Sequence, residues 1–310
     1  MKVASFYRFL DVENPEYVRS SLQKLCDDNE LLGTVLVAEE GVNGTLAGGH
    51  DAIETVFTRL DQALGLKDPI EARWTPTEEA PFRRMRVRLK KEIVTLGRPD
   101  IKPQRKSGTH VPPEEWNALI DNPDTLVIDT RNHYEVEVGT FRNAIDPGTD
   151  SFRQFPEFAK RLAEADRDRP LAMFCTGGIR CEKASALMLE LGFTEVYQLA
   201  GGILNYLEQA EDTDAHWNGE CFVFDSRVAV DRDLAEGGYV QCHACRRPLS
   251  SEDLKSPDYR EGVSCPRCID NLDEERAGRL EERRRQVELA RARGEAHIGA
   301  VLPMRNPKAG

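Results

Sequence analysis

The residues with the most evident chemistry lie in one stretch of ten, from Phe174 to Lys183, with the sequence FCTGGIRCEK. The stretch follows a short apolar run and opens a helical pattern, which is where α/β folds bind anions. Backbone N–H groups of a glycine-rich loop can converge on the Cys175 sulfur, and the helix N-terminus and Arg180 add positive charge. These features favour the thiolate, the nucleophilic form of cysteine. We therefore predict Cys175 as the reactive group, although a free cysteine at a strand end is often an ordinary buried thiol.

The same loop holds further candidates. Cys181 is a candidate resolving thiol, which would close a disulfide with an oxidised Cys175; a purely structural thiol is the alternative. The residues expected to surround the Cys175 sulfur are Thr176, Gly177, Gly178, Ile179 and Arg180.

Polar residues follow an earlier apolar run, Thr125 to Asp129. Asp129 and Arg131 are candidates to support the Cys175 pocket from behind, because α/β sites gather at the carboxyl ends of parallel strands. An Asp–Arg pair there can instead simply tie loops together. The three residues that follow could supply an acid or base near Cys175 or lie in a solvated loop: His133, Tyr134 and Glu135. Four other histidines have no ligand spacing and are predicted to be structural: His50, His110, His216 and His297.

Two Cys-x-x-C pairs lie near the C-terminus, with nineteen residues between the inner cysteines. Each pair places two sulfurs on one side of a tetrahedron, and the intervening segment has little apolar content to stabilise it. We predict a zinc site, with redox-active dithiols as the rival interpretation. The four predicted ligands are Cys242, Cys245, Cys265 and Cys268.

A strongly basic segment runs from Arg83 to Lys106, with ten basic and two acidic residues and a net charge of +8. In a strand, one face would carry the basic residues and the other would face the core with Met85, Val87 and Leu89. The basic residues on the shared face would be Arg84, Arg86, Arg88 and Lys90. Such a row could follow a phosphate backbone, although a solvated strand beside a basic linker would have the same composition. The predicted RNA-contacting residues are Arg83, Arg84, Arg86, Arg88, Lys90 and Lys91.

The elements that must position these residues form three parts. Residues 1–97 have a β-α-β-β-α-β pattern and predict a ferredoxin-like α+β sandwich. Residues 98–111 are rich in Gly, Pro, Lys and Arg and predict a linker. Residues 112–212 contain short apolar runs separated by helical patterns, which predict an α/β domain with a parallel sheet. Residues 213–310 combine the two Cys pairs with a mixed-charge helix.

Finer boundaries come from turn and cap residues. Asn14-Pro15 should begin the first helix, and Asp51 or His50 the second. The glycines and Asn of 40–44 should form a tight turn between two strands. Glu71 to Thr75 and Phe82 to Leu89 should complete the sheet.

Composition limits the class of protein. The chain has 310 residues, a formal net charge of −12 and no apolar run near the ~18–20 residues that span a bilayer. Its start lacks the basic-then-apolar layout of a secretory signal, so we expect a cytoplasmic protein with no membrane contact. Its eight cysteines are then better interpreted as reactive thiols or metal ligands than as disulfides.

The loop CTGGIRCEKA resembles the active-site loop of rhodanese domains. Asp129-Thr130-Arg131 is similar to the D-x-R of that family, and Gly192 to Gly202 is similar to its closing strand and glycine turn. Cys-based phosphatases have five residues between Cys and Arg, whereas four separate Cys175 from Arg180. The resemblance therefore implies a small cradle, suited to a persulfide sulfur on Cys175.

A wider resemblance covers nearly the whole chain. GVNGTLAG (41–48), DTRNHYEVEVGTF (129–141), the Cys175 loop and GECFVFDSRVAV (219–230) with the Cys pairs together resemble the bacterial tRNA uridine hydroxylases. That family implies oxygen-dependent formation of 5-hydroxyuridine at the wobble uridine, position 34, in the anticodon loop of tRNA. Molecular oxygen would be the co-substrate. The resemblance implies no choice between a Cys175 thiolate that adds to uridine C6 and a Cys175 persulfide that activates oxygen.

Two rival hypotheses remain from the sequence. The same loop suits a sulfurtransferase that carries sulfur on Cys175, with or without tRNA as acceptor, although a small acceptor would need neither the basic segment nor the Cys pairs. A non-enzymatic RNA-binding or redox-sensing module would have an inert Cys175. No haem, flavin or nicotinamide signature appears, and the electron or sulfur donor is left open.

Overall fold

The computed structural model describes residues 1–77, 81–209 and 216–294. Within it the chain divides into two compact units, Met1–Gly237 and Gly238–Gly310. Within the described ranges the first unit contains a five-stranded sheet, a four-stranded sheet and two short two-stranded sheets. No helix in the described ranges is long and apolar enough to cross a membrane.

The N-terminal part of the first unit is a ferredoxin-like sandwich, as predicted. Its sheet has the order β4-β1-β3-β2-β5, and one face is covered by two helices whose apolar residues, such as Leu22 and Val56, are buried in the same core. Asn14 caps the first helix by accepting a hydrogen bond from the Tyr17 N–H, with Pro15 in the first turn. The elements are β1 (Lys2–Phe9), α1 (Pro15–Asp28), β2 (Leu32–Ala38), β3 (Gly41–Gly48), α2 (His50–Leu64), β4 (Ala72–Pro76) and β5 (Met85–Leu89).

The turn between β2 and β3 lies earlier than predicted. Ala38 pairs with Gly41, so Glu39 and Glu40 alone form the turn and the glycines belong to β3. Close packing explains the difference, because a Cβ on Gly44 would lie 2.8 Å from the Val35 Cα of the neighbouring strand. The glycines therefore allow close approach of strands, and Glu40 is left at the tip of the hairpin.

The second sheet of the first unit has the predicted rhodanese-like α/β fold. Its four strands are parallel, in the order β6-β10-β9-β7. Its residues face two cores: Met173 packs with Leu187 on one side, and Ala172 packs with Trp116 on the other. The elements are β6 (Thr109–Val111), α3 (Pro113–Ile120), β7 (Leu126–Asp129), α4 (His133–Val136), β8 (Gly139–Phe141), α5 (Phe155–Asp166), β9 (Leu171–Phe174), α6 (Ile179–Glu190), β10 (Val196–Leu199) and α7 (Gly202–Gln209).

Segments on both sides of the predicted 112–212 domain also belong to this fold. Ile101 lies in its core and Thr109–Val111 forms its edge strand β6, although 98–111 was predicted as a linker. After α7 the chain continues in β11 (Trp217–Gly219), β12 (Cys221–Phe222) and β13 (Ala229–Val230). Strand β11 pairs with β8, and the Trp217 side chain is buried in the core. The unit therefore extends well past the predicted boundary at 212.

The second compact unit is small and contains the cysteine cluster. Its strands β14 (Val240–Gln241) and β15 (Pro248–Leu249) pair antiparallel, and a helix, α8 (Glu274–Ala292), follows. Leu249 packs with Cys242 and Cys265 in a core of few apolar residues. Helix α8 carries ion pairs four residues apart, including Arg284 with Glu288, as its mixed charge predicted.

Candidate functional site

Cys175 occupies the first position after strand β9 and immediately before the loop that leads into α6. The Gly178 N–H donates a hydrogen bond to the Cys175 sulfur at 3.1 Å, and Gly178 has φ of 94°, a left-handed conformation that favours glycine. The N-terminus of α6, a twelve-residue helix, begins at the next residue. The sulfur therefore sits in the anion-binding position that the sequence predicted, although the residue is only 1% exposed.

The surroundings of Cys175 stabilise its thiolate. Burial alone would raise the pKa, but a hydrogen bond from Cys181, the charge of Arg180 and backbone N–H groups outweigh it and lower the pKa of Cys175 to about 6. Burial and the Cys175 charge raise the pKa of Cys181 well above its usual range. Cys181 thus remains a thiol and donates to Cys175, and its Sγ also lies 3.5 Å from the Thr130 hydroxyl.

A buried ion pair fixes the Arg180 side chain. Its guanidinium binds both Glu135 oxygens, at 2.7 and 2.8 Å, and donates to the Thr176 hydroxyl at 3.3 Å. Glu135 is fully buried in α4, so the solvated-loop interpretation is wrong for this residue. His133 is exposed and binds Asp146 at 2.6 Å instead. The pair aligns Arg180 beside the loop, so its charge reaches Cys175 from a fixed position.

Asp129 and Arg131 form a second buried pair behind the loop. The Arg131 guanidinium donates to both Asp129 oxygens, at 2.9 and 2.7 Å, and also to the Gly139 carbonyl. The Thr140 hydroxyl donates to Asp129 at 2.8 Å. These contacts join the end of β7 to β8. Cys221, which the sequence did not single out, is buried near this pair, and burial raises its pKa to about 12.

The N-terminal sandwich is joined to α6, the helix that follows Cys175, by a buried charge cluster. The Lys183 ammonium lies 2.8 Å from the Glu40 carboxylate and 2.5 Å from the Glu92 carboxylate. Glu40 also accepts from the Ile93 N–H, and Glu92 accepts from two backbone N–H groups further on. Lys183 is fully buried. No sequence pattern could pair it with carboxylates some ninety or more positions away.

Tyr7, in strand β1 of the N-terminal sandwich, contacts the Cys175 loop. Its hydroxyl donates to Glu182 at 3.4 Å, and a Cβ on Gly178 would lie 2.9 Å from the hydroxyl oxygen. Burial, Glu182 and Cys175 raise the pKa of Tyr7 well above its usual range, so the hydroxyl stays protonated. His110 binds the same Glu182 oxygen at 2.9 Å. Tyr7 and Glu182 were missed, because a lone Tyr in a strand carries no signal of this role.

The predicted RNA-contacting residues lie on and around the edge strand β5. All six are exposed: Arg83, Arg84, Arg86, Arg88, Lys90 and Lys91. Leu89 was predicted to face the core but is 46% exposed, because β5 is the last strand of its sheet and only Val87 is buried in it. Further along the basic segment, Arg98 binds Asp100 and Glu190, so its charge is compensated.

The four C-terminal cysteines form a cluster that could bind a metal such as zinc. Their sulfurs all lie within 4.8 Å of one another. Sulfur separations are 3.7 Å between Cys245 and Cys265 and 3.6 Å between Cys265 and Cys268. Four sulfurs at the Zn–S distance of about 2.3 Å would be about 3.8 Å apart at the corners of a tetrahedron. The donor set and its spacing therefore fit zinc.

The remaining histidines lie outside these sites. His50 stacks on Trp74 with ring centres 4.8 Å apart, and His216 binds Asp121 at 2.9 Å. Both contacts are consistent with a structural role. His297 lies outside the described residues.

Comparison with known families matches two parts of the chain. Residues 1–93 match the UPF0176 acylphosphatase-like domain. Residues 112–209 match the rhodanese-like domain.

Several solved structures resemble single parts of the chain. A human single-domain sulfurtransferase is 22% identical, covering 34% of this chain and 99% of that chain, with a TM-score of 0.28. A Saccharomyces cerevisiae homologue of single-domain rhodanese and the Cdc25 phosphatase catalytic domain is 16% identical, covering 36% and 88%, with a TM-score of 0.29. An acylphosphatase from Coxiella burnetii is 18% identical, covering 28% and 90%, with a TM-score of 0.23.

Proposed function

We propose that the chain, in which an acylphosphatase-like domain precedes a rhodanese-like domain as in the UPF0176 family, hydroxylates tRNA. The substrate is the wobble uridine, and the product is 5-hydroxyuridine. In this proposal the N-terminal domain holds the tRNA, the rhodanese-like domain carries Cys175, and the protein meets its substrate in the cytoplasm.

The observation that carries the proposal is the joint between the N-terminal sandwich and the active-site helix. Lys183 and Glu182 follow Cys175 by eight and seven positions, and both bind residues of the sandwich. The six predicted RNA-contacting residues end at Lys91, adjacent to Glu92 in that joint. An RNA backbone bound along β5 would therefore extend toward the Cys175 loop. A small sulfur acceptor would not require this arrangement.

The chemistry at uridine needs a nucleophile at C6. If the Cys175 thiolate adds there, an S–C6 bond forms and the electron pair of the C5–C6 double bond moves toward the C4 carbonyl oxygen, which makes C5 nucleophilic. Molecular oxygen then supplies one atom to C5, and the other leaves as water with two electrons and two protons from an external reductant. Departure of the thiolate from C6 and of the proton from C5 restores the ring. The lowered pKa of Cys175 supports the first step.

Rhodanese-type sulfur transfer is the second candidate function. The four-residue spacing from Cys175 to Arg180 and the buried sulfur favour it, because a persulfide would extend the reactive sulfur outward by about 2 Å. In that case the Cys175 thiolate attacks the sulfane sulfur of a donor such as thiosulfate, and a persulfide forms as sulfite leaves. A nucleophilic acceptor then takes the outer sulfur and releases the Cys175 thiolate.

Nucleoside mass spectrometry tests the two candidates. Bulk tRNA would be analysed from cells that lack the protein and are complemented with the wild type, Cys175→Ala or Cys26→Ala. Cys26 is a matched control, because it is also buried and lies in the N-terminal core away from the loop. We expect 5-hydroxyuridine and its derivatives with the wild type and with Cys26→Ala, and none with Cys175→Ala.

Two results would contradict the hydroxylase. If no oxygenated wobble uridine depends on the protein, the hydroxylase hypothesis fails. Thiosulfate-dependent sulfur transfer by the purified protein, lost in Cys175→Ala and accompanied by unchanged tRNA, would establish the second candidate in its place.

A further inference from the structure

Phe224 is a large aromatic residue exposed at the rim of the candidate active site. It is 67% exposed, in the short loop between β12 and β13. The Arg180 guanidinium carbon lies 5.8 Å from the centre of its ring. Arg180 itself donates to Thr176, the residue next to Cys175. An apolar ring is therefore left open to solvent close to the catalytic loop.

Neighbouring aromatic side chains fix the position of the Phe224 ring. Phe222 is buried and meets Phe224 edge to face, with ring centres 5.1 Å apart. Tyr134 of α4 meets Phe222 in the same way at 5.4 Å. The ring is thus positioned by an edge-to-face contact with Phe222 and by the nearby Arg180 cation, while most of its surface is exposed to a flat partner.

We propose that Phe224 is a stacking platform for a nucleobase beside the uridine that reacts at Cys175. This inference rests on the proposed function, and it adds a residue that selects single-stranded RNA at the catalytic loop. A base in a duplex is already stacked on both faces, so the platform would accept only the unpaired nucleotides of a loop.

The chemistry of the surroundings favours RNA over a protein partner. The cation beside the ring, Arg180, is buried and bound to Glu135, so it offers no free charge to an acidic protein partner. The exposed basic residues of β5 belong to the same compact unit and would bind the backbone of the same strand.

The test measures base stacking directly. Anticodon stem-loop RNAs would carry 2-aminopurine on the 5′ or 3′ side of the target uridine, because stacking quenches the fluorescence of this base. We expect quenching on one side with the wild type and with Phe224→Trp, and its loss with Phe224→Ala. The affinity of Phe224→Ala should fall about 5- to 150-fold, the range for one base on one aromatic ring.

Tyr17→Ala is the matched control. Tyr17 is 65% exposed on α1 and is not part of the Cys175 loop. Its replacement should change neither quenching nor affinity. Circular dichroism and urea unfolding of each variant would show that the fold is retained.

Three outcomes would overturn the proposal and are distinguishable. Equal affinity and unchanged quenching with Phe224→Ala would reject the platform while leaving tRNA binding intact. Failure of the wild type to bind any stem-loop would reject the proposed function, and the platform with it. A change of oligomeric state in sedimentation with Phe224→Ala, with RNA binding unaltered, would identify Phe224 as a contact between protein copies.

Discussion

Removal of the Cys175 thiolate should change the pH dependence of folding stability. The folded protein lowers the pKa of Cys175 from 9.0, the ordinary value of a cysteine thiol, to about 6. A group whose folded pKa is depressed contributes stability above its unfolded pKa, and this contribution is lost as the pH falls toward the folded pKa. The wild type should therefore gain stability relative to Cys175→Ala between pH 6 and pH 9.

The magnitude follows from the shift. Three pKa units correspond to about 4 kcal/mol when the thiolate is fully formed in both states. Between pH 6 and pH 9 the titration is incomplete at both ends, so the expected change is about 3 kcal/mol. The gain should rise with a slope of about 1.4 kcal/mol per pH unit in the middle of this range.

Urea unfolding of the two proteins at several pH values would measure this gain. Taking the difference between them cancels the titration of the shared groups whose surroundings Cys175 does not alter. Cys26→Ala provides a control with the opposite behaviour, because burial raises the pKa of Cys26 to about 12. A thiol whose pKa is raised by folding contributes stability that is lost only as the pH rises above the pKa of the unfolded chain. The difference in unfolding free energy between the wild type and Cys26→Ala should therefore be constant from pH 6 to pH 8.

A Cys175→Ala difference that stays flat to pH 8 would refute the reasoning. It would mean that burial dominates and that Cys175 remains a thiol at neutral pH. Thiolate absorbance near 240 nm, compared between the wild type and Cys175→Ala, would give the same answer independently. A midpoint near pH 9 in that titration would likewise exclude an activated thiolate.

Three further predictions concern the joint, the basic face and the metal centre. Lys183→Met leaves Glu40 and Glu92 buried without their cation and should lower the free energy of unfolding in urea by about 3–5 kcal/mol. Lys160→Met, at an exposed site, should lower it by less than about 0.5 kcal/mol. Similar losses for the two variants would show that the buried charge cluster does not stabilise the fold. Charge reversal of Arg84, Arg86 and Arg88 together should lower tRNA affinity in filter binding. It should also reduce the slope of log affinity against log salt concentration by roughly two to three units. Reversal of the exposed Arg19, Lys24 and Arg59 of the same domain should do neither, and equal effects would show that only net charge matters. Protein purified without chelators should contain one zinc per chain by mass spectrometry and lose it in Cys245→Ser, whereas a metal-free protein with a reversible disulfide would favour redox-active dithiols.

The sequence by itself determined the features that depend on neighbouring residues. The period-2 and helical patterns gave the ferredoxin-like order of elements, and the short apolar runs gave the parallel sheet. Cys175, the two glycines and Arg180 lie within six positions, so their strand-to-helix setting could be inferred locally. The two Cys-x-x-C turns likewise carry their own geometry, and the four sulfurs meet as the spacing predicted.

Tertiary structure alone decided which distant residues complete the site. Tyr7 reaches the Gly178 loop, Glu135 binds Arg180, and Phe224 is brought beside Arg180 by strands that follow the rhodanese-like domain. These contacts join residues separated by tens to more than a hundred positions, and their spacing in the chain has no period that a pattern could reveal. The same limit explains the error at Leu89, because exposure in a strand depends on whether another strand lies beyond it.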